Sequence, residues 1–264
     1  MTTLIQSAQN PTYKQALKLA SNRRERLKLQ QTLLDGSHLL SSWLDAGQQP
    51  VRVFITASSL NNPEISTLLQ RCSAPLCLLD ETLFSTLSEL PSATGVLSQV
   101  TIPEKNAALQ RGFCIALDGI QDPGNVGSIL RSAAAAGVDQ VWLSPACADV
   151  WSPKVLRAGM GAHAVLDLVE RCELLEGCRS FQGRVAATLL DAAVGLYDAD
   201  WQGDVVLVMG SEGAGVSPEV AALATLRVRI PMAAGIESLN VAAAAAICMF
   251  ERVRQHGLGT GQRR

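Results

Sequence analysis

Apolar residues fall in short blocks separated by polar turns, and two rhythms alternate along the chain. Residues 51–56, 76–79 and 95–102 are near-continuous apolar or β-branched runs and predict strands. Leu33 and Leu34 before Asp35-Gly36 read as a strand end and a turn. Tyr13, Ala16, Leu17 and Ala20 recur at helical spacing after a turn over Ser7 to Pro11, and Leu39, Leu40, Trp43 and Leu44 do the same. Asn62-Pro63 opens a helix towards Arg71, and Asp80 caps another over 81–87. These elements predict a small α/β domain over 1–105. Residues 103–111 are polar and aperiodic, so a linker is placed at 106–112.

The rhythm restarts after the linker. Strands are predicted at 113–117, 140–143, 165–168, 184–189, 205–209 and 227–230. Helices are predicted over 126–136, 154–160, 174–181, 218–224 and 241–254. The strands are apolar almost throughout, as in a parallel sheet covered on both faces. The second domain therefore reads as α/β over 113–264.

Composition narrows the class. At 48% apolar and 17% charged residues the chain is globular. No apolar run approaches the roughly 18–20 residues of a membrane helix, and no signal peptide is evident, so a cytoplasmic protein with no membrane partner is expected. Seven cysteines without a Cys-x-x-Cys pair, and three scattered histidines, predict neither a disulfide framework nor a metal site. The net charge of −2 gives no bulk attraction for nucleic acid. Locally, Lys14, Lys18, Arg23, Arg24, Arg26 and Lys28 stand against the single acid Glu25. That stretch suits phosphate binding or a solvated helix face.

Candidate chemistry gathers in three strand-to-helix loops, at 117–127, 208–215 and 229–241. In the last, Pro231 ends a strand, Gly235 frees the backbone, and Ser238 or Asn240 caps the closing helix. This turn reads as buried. None of the loops carries a dinucleotide Gly-x-Gly-x-x-Gly, a P-loop or a Gly-x-Ser-x-Gly elbow.

Taken together, Asn125-x-Gly127-x-x-x-Arg131, Gly210-x-Glu212-x-x-Gly215, and Ile230-Pro231-Met232 with Glu237-Ser238-Leu239-Asn240-Val241 resemble the three motifs of the SpoU class of SPOUT RNA methyltransferases, in order, over 113–254. The N-terminal part resembles the substrate-binding domain of many members through Ser7, Asn10-Pro11, Lys14, Arg26, Asp35-Gly36 and Gly95. The usual Glu is Asp35 here. Another departure is Gly159, where many members have Ser. His163 beyond it is equally well a structural histidine.

The resemblance implies a parallel-sheet domain with a deep trefoil knot, S-adenosylmethionine as cofactor, and a homodimer formed through the C-terminal domain. It implies methylation of a ribose 2′-hydroxyl in structured RNA, with rRNA ahead of tRNA. A non-catalytic RNA-binding or ribosome-assembly protein is the contrasting reading. Asn125, Arg131, Glu212, Ser238 and Asn240 become the expected catalytic set. Thr188, Gly210, Ile230 and Leu239 become the expected cofactor contacts. Lys14, Arg23, Arg24, Arg26 and Arg157 become the expected RNA contacts. A guanidinium stays protonated, so Arg131 is expected to grip a phosphate and acidify the hydroxyl rather than act as a free base.

Overall fold

The structure is a computed structural model that describes residues 2–90, 94–189 and 192–257. Its elements in chain order begin β1 (Thr2–Ile5), α1 (Pro11–Ser21), α2 (Arg23–Leu29), β2 (Gln31–Asp35), α3 (Ser37–Asp45), β3 (Arg52–Thr56), α4 (Pro63–Gln70), β4 (Leu76–Leu79), α5 (Glu81–Leu87) and β5 (Val96–Thr101). They continue with β6 (Phe113–Asp118), α6 (Pro123–Ala135), β7 (Gln140–Leu143), α7 (Pro153–Gly159), β8 (Asp167–Glu170), α8 (Leu174–Ser180), β9 (Arg184–Thr188) and β10 (Val194–Gly195). Last come β11 (Val205–Gly210), α9 (Pro218–Ala221), β12 (Leu226–Arg229) and α10 (Val241–His256).

Two compact units result. The first comprises Met1–Glu104 together with Trp151–Ala164. Its five-stranded sheet runs β1-β4-β3-β5-β2, parallel from β1 to β3 and antiparallel around β5. Tyr13, Leu19, Leu33, Phe54, Phe84 and Leu97 fill one core cluster, and Leu40, Val53, Ile55, Ile65 and Val96 another. Strand β1 escapes the sequence pattern because it is an edge strand with three of its four residues exposed. Asn22 divides the basic helical stretch in two. Its N–H donates to the Lys18 carbonyl to close α1, and its side chain accepts from Arg24 and Glu25 N–H to open α2.

The segment Trp151–Ala164 carries α7 and groups with the first unit, whereas the sequence reading runs the second domain unbroken from 113. The Thr32 hydroxyl donates to the Trp151 carbonyl at 2.8 Å, and both the His163 and Trp151 rings are buried with centroids 5.2 Å apart. His163 therefore sits as a packed ring. The partners of this segment lie more than a hundred residues away in sequence, so no local pattern announces them.

The second unit comprises Lys105–Val150 and Val165–Arg264. Its seven strands run β10-β12-β9-β11-β6-β7-β8 and every pairing is parallel. This is the α/β parallel sheet expected of the apolar strands. Trp142, Val206, Val208 and Ala116 are buried in one cluster, where Trp142 meets the Phe181 ring edge-on at 6.0 Å. Strand β8 begins at Asp167 rather than 165, because pairing with β7 decides the register. Helix α6 begins at Pro123, since the Asp122 carboxylate accepts the Asn125 N–H at 2.7 Å and starts the helix before the first apolar residue.

Candidate active site

Three loops at the C-terminal ends of parallel strands form the site, the usual ligand position in such sheets. The first follows β11. Ser211 and Gly215 exchange backbone hydrogen bonds at 3.1 and 2.9 Å and pinch the Glu212-bearing loop shut. The pinch requires Gly210. A Cβ there would overlap the backbone of Gly215 and Val216.

A cavity of about 810 Å³ opens beside this loop. That lies within the usual range of ligand pockets. Its wall includes Thr188, Gly210, Ile230 and Leu239, the four expected cofactor contacts, with Glu212 and Ser238 of the expected catalytic set. Asn125, Arg131 and Asn240 are not part of that wall. Also lining it are Met209, Asp198 and Arg229, which the sequence reading does not single out. The Thr188 hydroxyl points to the Met209 sulfur at 3.8 Å. Asp198 arrives through the 3-10 turn after β10, a two-residue strand whose register is set by β12 and has no local signature.

One side chain ties the three loops together. Asn125, in the first turn of α6, donates through Nδ2 to Glu212 Oε1. Its Oδ1 accepts from Asn240 Nδ2 at 2.9 Å. Asn240 in turn caps α10, with its Oδ1 accepting the N–H of Ala242 at 2.9 Å and of Ala243 at 3.2 Å. Of the two residues able to cap α10, Asn240 is therefore the cap and Ser238 is left to the cavity wall. Gly235 has φ +85°, and Ile236 N–H donates to the Ala233 carbonyl at 3.3 Å. The loop is not buried as the sequence suggests. Most of residues 231–240 are exposed, because the turn carries its polar groups outward from the sheet end.

The model of the SpoU rRNA Methylase family matches residues 112–250. The chain belongs to that family. This SpoU family member is 34% identical over 257 residues to an uncharacterized tRNA/rRNA methyltransferase of Synechocystis, covering 95% of this chain and 93% of the relative. It is 29% identical to the 23S rRNA (guanosine(2553)-2′-O)-methyltransferase RlmP of Bacillus subtilis, covering 93% of this chain and 97% of that one. The SpoU methyltransferase AviRb of Streptomyces viridochromogenes, solved in complex with the cofactor AdoMet, superposes with a TM-score of 0.85 at 26% identity, covering 94% of this chain and 98% of that one.

Elsewhere in this SpoU family chain the expected residues divide. Arg131 lies exposed on α6 and makes no hydrogen bond or ion pair among the described residues. Lys14 and Arg24 are exposed and Arg23 is half-buried. Arg26 is corrected. It is only 5% exposed, and its guanidinium donates to the carbonyls of Leu19 at 2.5 Å and Ala20 at 3.2 Å. Its N–H groups thereby satisfy carbonyls at the end of α1. Arg157 belongs to the first unit, where its guanidinium donates to the Glu89 carbonyl at 3.0 Å and lies 3.8 Å from the Glu89 carboxylate. No group of three or more potential metal ligands occurs among the described residues. No helix there is long and apolar enough to cross a membrane.

Proposed function

We propose that this chain transfers a methyl group from S-adenosylmethionine to a ribose 2′-hydroxyl of structured RNA, with rRNA as the substrate class. The observation that carries the reading is the Asn125 amide, which joins Glu212 and Asn240 beside a cavity walled by Gly210, Ile230 and Leu239.

The cavity wall fits that cofactor. Between residues 231 and 240 one backbone hydrogen bond is made among the described residues, from Ile236 to Ala233. The peptide groups of Met232, Ser238 and Leu239, all in the wall, stay available to a purine that needs main-chain donors and acceptors. Gly210 lets backbone approach backbone without an intervening side chain. When bound, the cofactor supplies an electrophilic methyl on a sulfonium. The chain's task is to hold the ribose hydroxyl in line with it, and such positioning accounts for much of a transfer rate. Arg131, exposed on α6, grips the adjacent phosphate and stabilises negative charge on the ribose oxygen. Ser238 supplies a hydroxyl in the cavity wall.

Three finer features belong to the same reading. The C-terminal chain forms a trefoil knot, a reading supported by the place of β12 between the consecutive strands β9 and β10. The protein works as a homodimer through its C-terminal unit, for Ile236, Leu239 and Phe250 are exposed there. Residues 1–105 present the RNA, with Lys14, Arg23 and Arg24 on its phosphates.

The test is incubation of the purified chain with RNA from cells lacking it and methyl-labelled S-adenosylmethionine, followed by mapping of labelled ribose. Label at one rRNA position, lost in Arg131→Ala, is expected. Bound cofactor with no transfer to any RNA would overturn the catalytic reading.

A further inference from the structure

The hydrogen bonds that join the three loops have a direction. Peptide N–H groups only donate, so the Ala242 and Ala243 N–H groups fix the oxygen of the Asn240 amide towards α10. Its Nδ2 must then lie at the far end, where it donates to Asn125 Oδ1 at 2.9 Å. That fixes the Asn125 amide as well, and its Nδ2 is delivered to Glu212 Oε1. A donor therefore arrives at the carboxylate, and Oε1 is held as an acceptor. Among the described residues Glu212 has no other hydrogen bond and no ion pair, and it is exposed in the cavity wall. Oε2 has no hydrogen-bond partner among the described residues, and the carboxylate's orientation is set from a helix end.

The other groups of the expected catalytic set cannot take up a proton. Arg131 carries donors only, the amides of Asn125 and Asn240 are not bases, and the Ser238 hydroxyl is itself a weak acid. Among the described residues two carboxylates line the cavity, Glu212 and Asp198, and of these Glu212 is the one held by another side chain. We propose that Glu212 accepts the proton of the ribose 2′-hydroxyl, with Asn125 and Asn240 as positioning residues. This rests on the methyl-transfer reading above. As the ribose oxygen forms its bond to the methyl carbon, the carbon–sulfur bond breaks and its electron pair stays on sulfur as a neutral thioether. The hydroxyl proton passes to Glu212 Oε2 and from there to water.

The experiment uses the full chain, methyl-tritiated S-adenosylmethionine and rRNA from cells lacking the chain. Single-turnover rates are measured from acid to alkaline pH for the wild type, Glu212→Gln, Asp198→Asn and Asn240→Asp. Binding of S-adenosylmethionine and S-adenosylhomocysteine is measured by calorimetry. Glu212→Gln should lower the rate by about 10²–10⁴-fold, the usual range for a lost general base, and abolish the acid limb of the profile while both ligands still bind. Asn240→Asp keeps an oxygen to cap α10 but has no donor for Asn125. The Asn125 amide then turns over, its oxygen faces Glu212, and the acid limb should move to higher pH with thermal stability retained. An acid limb that survives Glu212→Gln, or that vanishes in Asp198→Asn instead, overturns the assignment. So does selective loss of S-adenosylmethionine binding in Glu212→Gln with S-adenosylhomocysteine retained, which would make Glu212 a holder of the sulfonium charge. A wild-type chain that binds cofactor and labels no RNA overturns the methyl-transfer reading itself.

Discussion

Asn240 Nδ2 meets Asn125 Oδ1 at 2.9 Å across 115 residues of sequence. One amide caps the last helix, and the other sits in the first turn of α6. The cap of one helix and the site end of another are thereby coupled. Asn240→Ala removes the cap and the link together and should cost about 1 kcal/mol of stability, the usual loss for such a cap. Asn240→Ser restores a capping oxygen without the reach of an amide. Urea unfolding should show the serine variant recovering most of the stability, while methyl transfer stays low in both.

Gly210 is the residue least able to change in the cavity wall. The Cβ of Gly210→Ala would overlap the backbone of Gly215 and Val216, and backbone cannot rotate away as a side chain can. The Ser211–Gly215 pinch should open, and S-adenosylmethionine affinity should fall by tenfold or more in calorimetry. Unchanged affinity would show that the loop relaxes without moving the site.

The basic stretch of the first unit should separate into two kinds of residue. Arg26→Ala leaves the Leu19 and Ala20 carbonyls without their donor and should cost about 2–3 kcal/mol in chemical unfolding. Lys14→Ala and Arg24→Ala alter exposed side chains and should shift stability by less than about 0.5 kcal/mol. Those two should instead weaken RNA binding and reduce its salt dependence, each by about 0.7–0.9 in the log–log slope if one phosphate contact is lost.

Asp35 gives the first unit a pH signature. Burial raises its carboxyl above the ordinary aspartate value of 3.8, opposed by hydrogen bonds from Ser88 and the Glu89 N–H and by the Arg157 charge. The folded state therefore holds this proton more tightly than the unfolded chain. The stabilisation is complete below pH 3.8 and is lost as pH rises through the raised folded value. Asp35→Asn should remove this component, seen as a flatter dependence of the urea midpoint on mildly acid pH. An unchanged slope would mean that burial and hydrogen bonding cancel.

The cysteines should be slow to react. Burial pushes the Cys114, Cys178 and Cys248 thiols up to about 12, and it also raises Cys72, the one cysteine that is not buried. A thiol reagent at pH 8 should find few thiolates in the native protein. Cys72 should react first, and the others only at the rate of unfolding. Rapid modification of several thiols before unfolding would contradict the burial.

The sequence by itself determined the element types, the parallel character of the second sheet and the membership of the three loops, because these depend on local periodicity, caps and glycines. Leu39, Leu40, Trp43 and Leu44 announce α3 whatever packs against it, and Asp80 announces the start of α5. Asn240 was legible as a candidate cap for the same local reason, and Gly210 through the motif resemblance. Other features required contacts between distant parts of the chain. Edge strands β1 and β10 carry too little apolar pattern to be seen before β4 and β12 pair with them. Residues 151–164 follow the first unit because Trp151 finds Thr32, and Arg26 is buried because α2 folds back on the end of α1. Asp198 comes to the cavity only through the sheet order. Tertiary structure alone decided the path from α10 through Asn240 and Asn125 to Glu212, because the direction of a hydrogen bond depends on which atom of each amide its neighbour holds.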